Sequence, residues 1–472
     1  MTGTYDVIVL GAGPAGASAA IEADRLGLRV LVVDEQEDAG GQFWRMPGPK
    51  AARAHAEPDG NDLRARLRAS GVTSSFGRRA WFIEPGFRIS MIGPDGIEEG
   101  TASALILATG AQERHIPVPG WTLPGVFGLA AATVLLKAQG VLPGRRVTVA
   151  GVGPLLFLVA TAVLKAGGEV AAIVDVNSRR DWLGHSRGLL SRPDLALRGA
   201  SWLAQVRARR VPVLTRHAVR RILGTNTVEA VEAGPVDAAW TPIRGGARRI
   251  ECDALCIGFG LIPLTDASRL LGASHRFDPT LGGWVVDVDR DQKTSVQRLY
   301  ACGDGAGILG AAAAPLRGRI AVLAAARDLG RLPTSSFEVQ ARPLRAALSR
   351  SAHFGAAMTA LSAPRPGLTN LISPETTVCR CESVRRAELD AAIAEGAVTI
   401  NDLKSATRCG MGPCGGKICE EAAAMLIAER TGSAREHIGT ATARPPLRPI
   451  ALDPLLGEFN YDALPIPDLA PL

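Results

Sequence analysis

The chain has 472 residues, 47% of them hydrophobic and 21% charged, enough apolar side chains for two or three cores of ordinary size, so disorder is not the default reading. Its formal charge is +7, but the arginines are scattered and no aromatic stripe accompanies them, which argues against nucleic-acid binding. Eight cysteines in a long chain that opens without a charged and apolar leader point to metal or redox use rather than to disulfides, and a cytoplasmic location is expected.

From Met1 the chain runs straight into an apolar strand, Tyr5–Leu10. Gly11-Ala12-Gly13-Pro14-Ala15-Gly16 follows and opens an alanine-rich helix, and Leu28–Val33 supplies a second strand ending in Asp34 and Glu35. Gly11 permits a tight turn, Gly13 lets backbone approach a pyrophosphate, and Gly16 lets helix pack closely on strand. The helix N-terminus favours the phosphate charge. Asp34, 23 positions after Gly11, suits the ribose hydroxyls of an adenosine. Further on come a glycine turn, Gly40-Gly41-Gln42, and an apolar strand, Leu105–Ala108, ending in Thr109-Gly110.

A second unit begins with the strand Arg146–Ala150 and the turn Gly151-Val152-Gly153-Pro154-Leu155-Leu156, and its next strand leads to Asp175, 24 positions after Gly151. Leu156 stands where a glycine or alanine would allow close helix packing, so a wider turn is expected, and binding of NAD(P) or another adenine nucleotide at Gly151, Gly153 and Asp175 stays open against a fold kept without its ligand. The apolar run Val147–Leu164 contains Gly151, Gly153 and Pro154 and reads as strand turning into helix, not a membrane span. Cys252 and Cys256 read as buried packing residues. Another strand, Leu299–Cys302, ends in Gly303-Asp304-Gly305, where the aspartate either meets a ligand or caps a helix beginning near Gly310. Alternating strands and helices to about residue 330 predict an α/β, doubly wound architecture.

Residues 331–372 carry Pro333, Pro343, Pro364 and Pro366 around a helical segment Leu344–Leu361, a linker with a bridging helix. Then five of the eight cysteines fall within 41 positions: Cys379, Cys381, Cys409, Cys414 and Cys419. Four thiolates arriving as two close pairs are what a [2Fe-2S] cluster requires, one pair to each iron. Zinc is the rival, and the Cys379-Arg380-Cys381 spacing is tighter than structural zinc usually takes. Gly410, Gly412, Gly415 and Gly416 offer amides to sulfur. Val384–Ala394 has helical spacing, and residues 433–472 form a proline-rich tail expected to be extended and to lie against a partner. No catalytic side chain is legible from spacing, and His115 reads as structural.

The Thr109-Gly110 and Gly303-Asp304 segments resemble those of flavoproteins with two dinucleotide-binding domains, in which the Gly-Asp aspartate meets the ribityl and phosphate part of FAD; Gly40-Gly41-Gln42 is similar to a segment beside the flavin. That likeness implies Rossmann-like units at 1–120 plus 255–330 for FAD and at 121–254 for a second nucleotide. It implies FAD contacts at Gly11, Gly13, Ala15, Gly16, Asp34, Glu35, Gly41, Gln42, Thr109, Gly110, Gly303 and Asp304. Residues 373–432 resemble the bacterioferritin-associated-ferredoxin type of [2Fe-2S] domain, small and mainly α, and the match implies Cys379, Cys381, Cys414 and Cys419 as ligands, with Cys409 the alternative. In order, the whole resembles the FAD-containing subunit of heteromeric, dye-linked amino-acid dehydrogenases, a group that includes opine oxidase, hydrogen cyanide synthase and D-hydroxyproline dehydrogenase. The resemblance implies a hetero-oligomer with a D-amino-acid-oxidase-like FAD subunit. It leaves open a further small iron–sulfur protein in the complex, and peripheral contact with the inner face of a quinone-containing membrane. It also implies an electron relay between FAD and cluster during oxidation of an amino acid, imino acid or opine. The rival is a stand-alone NAD(P)H-dependent reductase.

Overall fold

A computed structural model describes residues 3–48 and 58–456 of the chain. The strand Gly3–Leu10 has Val7, Ile8 and Val9 all buried, as a strand covered on both faces must. It runs parallel to Val30–Asp34 on one side and to Gly96–Leu107 on the other, with Val9 opposite Val32 and Ile106. Thr73–Phe76 extends the sheet at the Val30–Asp34 edge, and the antiparallel strands Arg79–Ile83 and Arg88–Gly93 lie beyond Gly96–Leu107. Leu299–Ala301 returns from far along the chain to pair with Leu105–Leu107. The helix Pro14–Arg25 starts on a proline, whose missing N–H costs nothing there. Its buried alanines let it lie close along the helix Ala314–Asp328.

A second, all-parallel sheet has the order Val213–Thr215, Glu169–Asp175, Arg146–Gly151, Ala254–Gly258, Val126–Gly128. The three-stranded antiparallel sheet His217–Leu223, Ala230–Pro235, Arg248–Glu251 adjoins it. The run Val147–Leu164 is the strand Arg146–Gly151 followed by the helix Leu155–Lys165, and no helix among the described residues is long and apolar enough to cross a membrane. The chain passes between the two units along an antiparallel ribbon, Ala111–Glu113 with Leu261–Pro263.

The bridging helix is longer than its prolines suggest, spanning Thr334–Leu361 with Pro343 inside it. Phe337 and Ala341, on the far side of that proline, are fully buried, and the Arg327 and Arg345 guanidinium groups lie 4.2 and 5.2 Å from the Phe337 ring centre. Such burial outweighs the roughly 3 kcal/mol that an interior proline costs a helix. The C-terminal unit has a short ribbon, Thr377–Cys379 with Val384–Arg385, and the helices Arg386–Ala394, Ile400–Thr407 and Glu420–Thr431. The helix expected from Val384 thus begins at Arg386, its first two residues having joined the ribbon. One continuous apolar core includes Val174, Trp240 and Leu255 of the second unit together with Leu389, Cys419 and Leu426 of the C-terminal unit. The described part of the tail lies on its own chain: the Leu447 amide donates to the Trp81 carbonyl at 2.8 Å. Pro465, Pro467 and Pro471 lie outside the described residues.

Candidate functional site

At the first glycine turn, Gly11 has φ +99°, and a methyl group at Gly16 would collide with the Gly11 carbonyl. Gly13 faces Gly41, whose φ is +57° and where a Cβ would come 2.8 Å from the Gly13 Cα, so two bare backbones border one cradle. Asp34 Oδ2 accepts from the Ala12 amide at 2.6 Å and Oδ1 from the Gln36 amide at 2.8 Å; burial pushes its carboxyl up against the pull of those amides. Glu35 turns outward to Arg79 at 3.6 Å, and Gln42 is exposed. Sequence reading missed Arg45, whose buried Nε has no partner among the described residues and whose charge is felt at Asp34. An orphaned guanidinium nitrogen beside a bare-backbone cradle and a helix N-terminus fits the pyrophosphate and adenosine part of FAD.

The second wall comes from the returning strand. A Cβ on Gly303 would meet that of Ala15 at 2.9 Å, and one on Gly305 would meet Thr109 Oγ1 at 2.9 Å, so Ala15, Thr109-Gly110 and Gly303-Asp304-Gly305 converge. Thr109 Oγ1 donates to the Leu264 carbonyl at 2.8 Å. Asp304 is half-buried, and its Oδ1 accepts the Leu309 and Gly310 amides at 3.1 and 3.0 Å. Those amides belong to the turn, since the following helix starts at Ala314. Arg317, also missed, is buried and donates to the carbonyls of Gly303, Gly307 and Ala306 and to Gln292 at 2.7–2.9 Å, clamping the turn that presents Asp304.

In the second unit Gly151 and Gly153 have φ +124° and +79°, and Leu156 is fully buried in the core under the sheet, where the helix gives it room. Asp175 is 1% exposed: Oδ1 accepts from the Asn177 amide at 2.9 Å and Oδ2 from Trp182 Nε1 at 3.0 Å, while burial pushes its carboxyl up to about 7. Cys252 and Cys256 are buried, and burial raises both thiols.

The C-terminal cysteines meet in a different grouping from their order in the chain. The Sγ atoms of Cys379, Cys409 and Cys419 lie within 4.8 Å of one another, all buried, while Cys381 contacts Cys414. The sulfurs therefore group across the two short-spaced pairs, and Cys409 stands inside the buried trio. The thiols of Cys409 and Cys419 and the amides of Gly410 and Glu382 point at Cys379 and hold it far below the ordinary thiol range. The Cys379 contact pushes Cys409 up to about 12, and Cys379 with Cys409 raises Cys419. Gly412 has no room for a side chain beside Cys381. Clustered thiols with amides aimed at sulfur fit a [2Fe-2S] centre.

The cysteine unit is fastened to the first site. Two residues past Gly110, Gln112 Nε2 donates to the Lys417 carbonyl at 3.1 Å. Arg114, buried, donates to the carbonyls of Phe259, Ser362 and Gly282 and faces Glu421 at 3.4 Å; Glu421, two residues after Cys419, is bound by Arg435 at 2.8 Å. Lys417 meets Asp266 at 3.2 Å. Next to Arg114, Glu113 is buried and takes the Leu129 amide at 2.6 Å at a helix start. Burial, and then Arg380, lowers the His115 imidazole from its ordinary range.

Residues 5–330 match the family described as pyridine nucleotide-disulphide oxidoreductase, and residues 377–429 match the BFD-like [2Fe-2S] binding domain. The chain is 33% identical to an opine oxidase subunit of Agrobacterium tumefaciens (strain Ach5), over 95% of this chain and 90% of that one. It is 30% identical to the HcnB subunit of hydrogen cyanide synthase from Pseudomonas protegens, over 94% of this chain and 96% of that one. Among solved structures, L-proline dehydrogenase from P. horikoshii has the same fold, with a TM-score of 0.70 and 21% identity over 96% of this chain and 80% of that one.

Proposed function

The chain belongs to the pyridine nucleotide-disulphide oxidoreductase family and carries a BFD-like [2Fe-2S] domain, an FAD-dependent oxidoreductase by descent, and from that premise we propose that it is the electron-relaying subunit of a heteromeric dehydrogenase acting on an amino acid, imino acid or opine. Bound FAD supplies two-electron chemistry and the cluster one-electron chemistry. In this reading Gly11, Gly13, Gly16 and Gly41 admit the pyrophosphate, with Ala15 and Glu35 flanking. Asp34 takes the ribose, and Thr109, Gly110, Gly303 and Asp304 line the flavin half, with Gln42 at its edge. The observation that carries the reading is the fastening of the cysteine unit, through Gln112 and Arg114, to the strand that leaves Thr109-Gly110.

The likeness to proteins named as subunits supports a hetero-oligomer. A partner flavoprotein takes two electrons from the amine substrate, leaving an imine, and this chain passes them to a quinone or other acceptor. Anaerobic mixing of the assembled complex with a substrate panel tests this: substrate should bleach this chain's flavin and reduce its cluster. Bleaching confined to the partner's flavin would end the proposal.

For the cluster we assign Cys379, Cys381, Cys414 and Cys419. Both short-spaced pairs, Cys379 with Cys381 and Cys414 with Cys419, are then used, with Cys381 meeting Cys414 and Cys379 beside Cys419 in the buried trio. Four single Cys→Ala variants should lose the visible and EPR signature of the cluster, and Cys409→Ala should keep it.

A further inference from the structure

The bridging helix Thr334–Leu361 ends over the second unit. Gly355 lies against Leu309, and Thr359 Oγ1 donates to the Ile308 carbonyl at 3.0 Å, which seats the helix on the turn after Asp304. The residues that leave it enter the cleft at the carboxyl ends of the second sheet, the place where a doubly wound fold binds its ligand. One wall of that cleft is the turn Gly151–Pro154; the other is Gly258–Gly260. Ser362 touches both. Its Oγ lies 2.8 Å from where a Cβ on Gly153 would stand, and its Cβ lies 2.8 Å from where one on Gly260 would.

The insertion is bonded in place. Arg114 donates to the Ser362 carbonyl at 3.1 Å, Asn177 Nδ2 donates to the Leu361 carbonyl at 3.0 Å, and Arg365 pairs with Asp181 at 2.6 Å and lies over the Trp240 ring at 4.9 Å. Asp175, the carboxylate placed for a ribose, is sealed beneath Trp182 and already accepts two hydrogen bonds. Both positions that a dinucleotide needs, the bare glycine backbone and the acidic strand end, are filled by this chain.

We propose that residues 361–365 close the second dinucleotide-binding unit, so that the protein excludes NADH and NADPH and receives its electrons from a donor that reaches the flavin by another route. This closure goes beyond the substrate assignment above and does not rest on it: an open cleft would leave the FAD and cluster sites as they are.

The test uses the full chain saturated with FAD, under anaerobic conditions. Millimolar NADH or NADPH should leave the flavin band at about 450 nm unbleached while dithionite removes it. Hydrogen exchange in the peptide 357–365 should be slow and unchanged by millimolar ADP-ribose, the part of the ligand that would occupy the cleft. Saturable bleaching by either nucleotide overturns the proposal. So does exchange in that peptide as fast as an exposed loop, slowing when ADP-ribose is added.

Discussion

A methyl group at Gly16 has nowhere to go, because the Gly11 carbonyl already occupies its place. Gly16→Ala should push the helix Pro14–Arg25 off its strand, costing about 1–3 kcal/mol and most of the bound FAD, read as the flavin-to-protein absorbance ratio of the purified chain. Glu113 makes a pH prediction. Burial, opposed by the amides of Ala130, Leu129 and Ala131, raises its carboxyl from 4.5 to about 7. The folded chain therefore keeps a proton that the unfolded chain gives up, so this group's contribution is intact below pH 4.5 and stability falls as pH rises toward 7. The loss is on the order of 3 kcal/mol. Asp175 acts in the same direction, from 3.8 to about 7. Glu113→Gln should gain in urea midpoint over the parent at pH 8 and much less at pH 5. An equal difference at both pH values would refute the assignment.

At the scale of elements, the bridging helix hangs on Phe337, buried between two arginines. Phe337→Ala should cost about 3–5 kcal/mol, seen in chemical denaturation, with the flavin and cluster spectra of the surviving folded protein unchanged. The elements that were legible in the sequence are those whose ligand or turn constrains the backbone: the glycine turns, the strand ends at Asp34 and Thr109, the cysteine spacing. The helix was drawn too short because Pro343 reads locally as a breaker, whereas Phe337 and Ala341 hold the helix together through contacts made far along the chain. The thiols were paired by spacing for the same reason; only the ribbon Thr377–Cys379 and the helix Glu420–Thr431 bring Cys379 to Cys419. Arg114 and Arg317 were invisible because their partners are carbonyls contributed by several separate segments.

Over the whole molecule, the apolar core shared by the second unit and the cysteine unit makes them one cooperative body. Removal of the cluster by acid and chelator should therefore lower the melting temperature of the second unit and the cysteine unit together, in one transition, since metal binding adds directly to folding free energy. Separate calorimetric transitions for these two units, with that of the second unit unmoved, would contradict this.

The return of Leu299–Ala301 to pair with Leu105–Leu107 also governs how the protein is made. On the ribosome the first glycine turn emerges early, yet the sheet edge that carries Asp304, and Arg317 which clamps it, emerge only after the whole second unit has been synthesised. Domains fold as units during synthesis, so the intervening unit is free to fold first while the opening strands wait with their apolar faces uncovered. Chaperone dependence should thus fall on nascent chains that end between the first sheet and Arg317, and flavin capture should mark the moment that dependence ends.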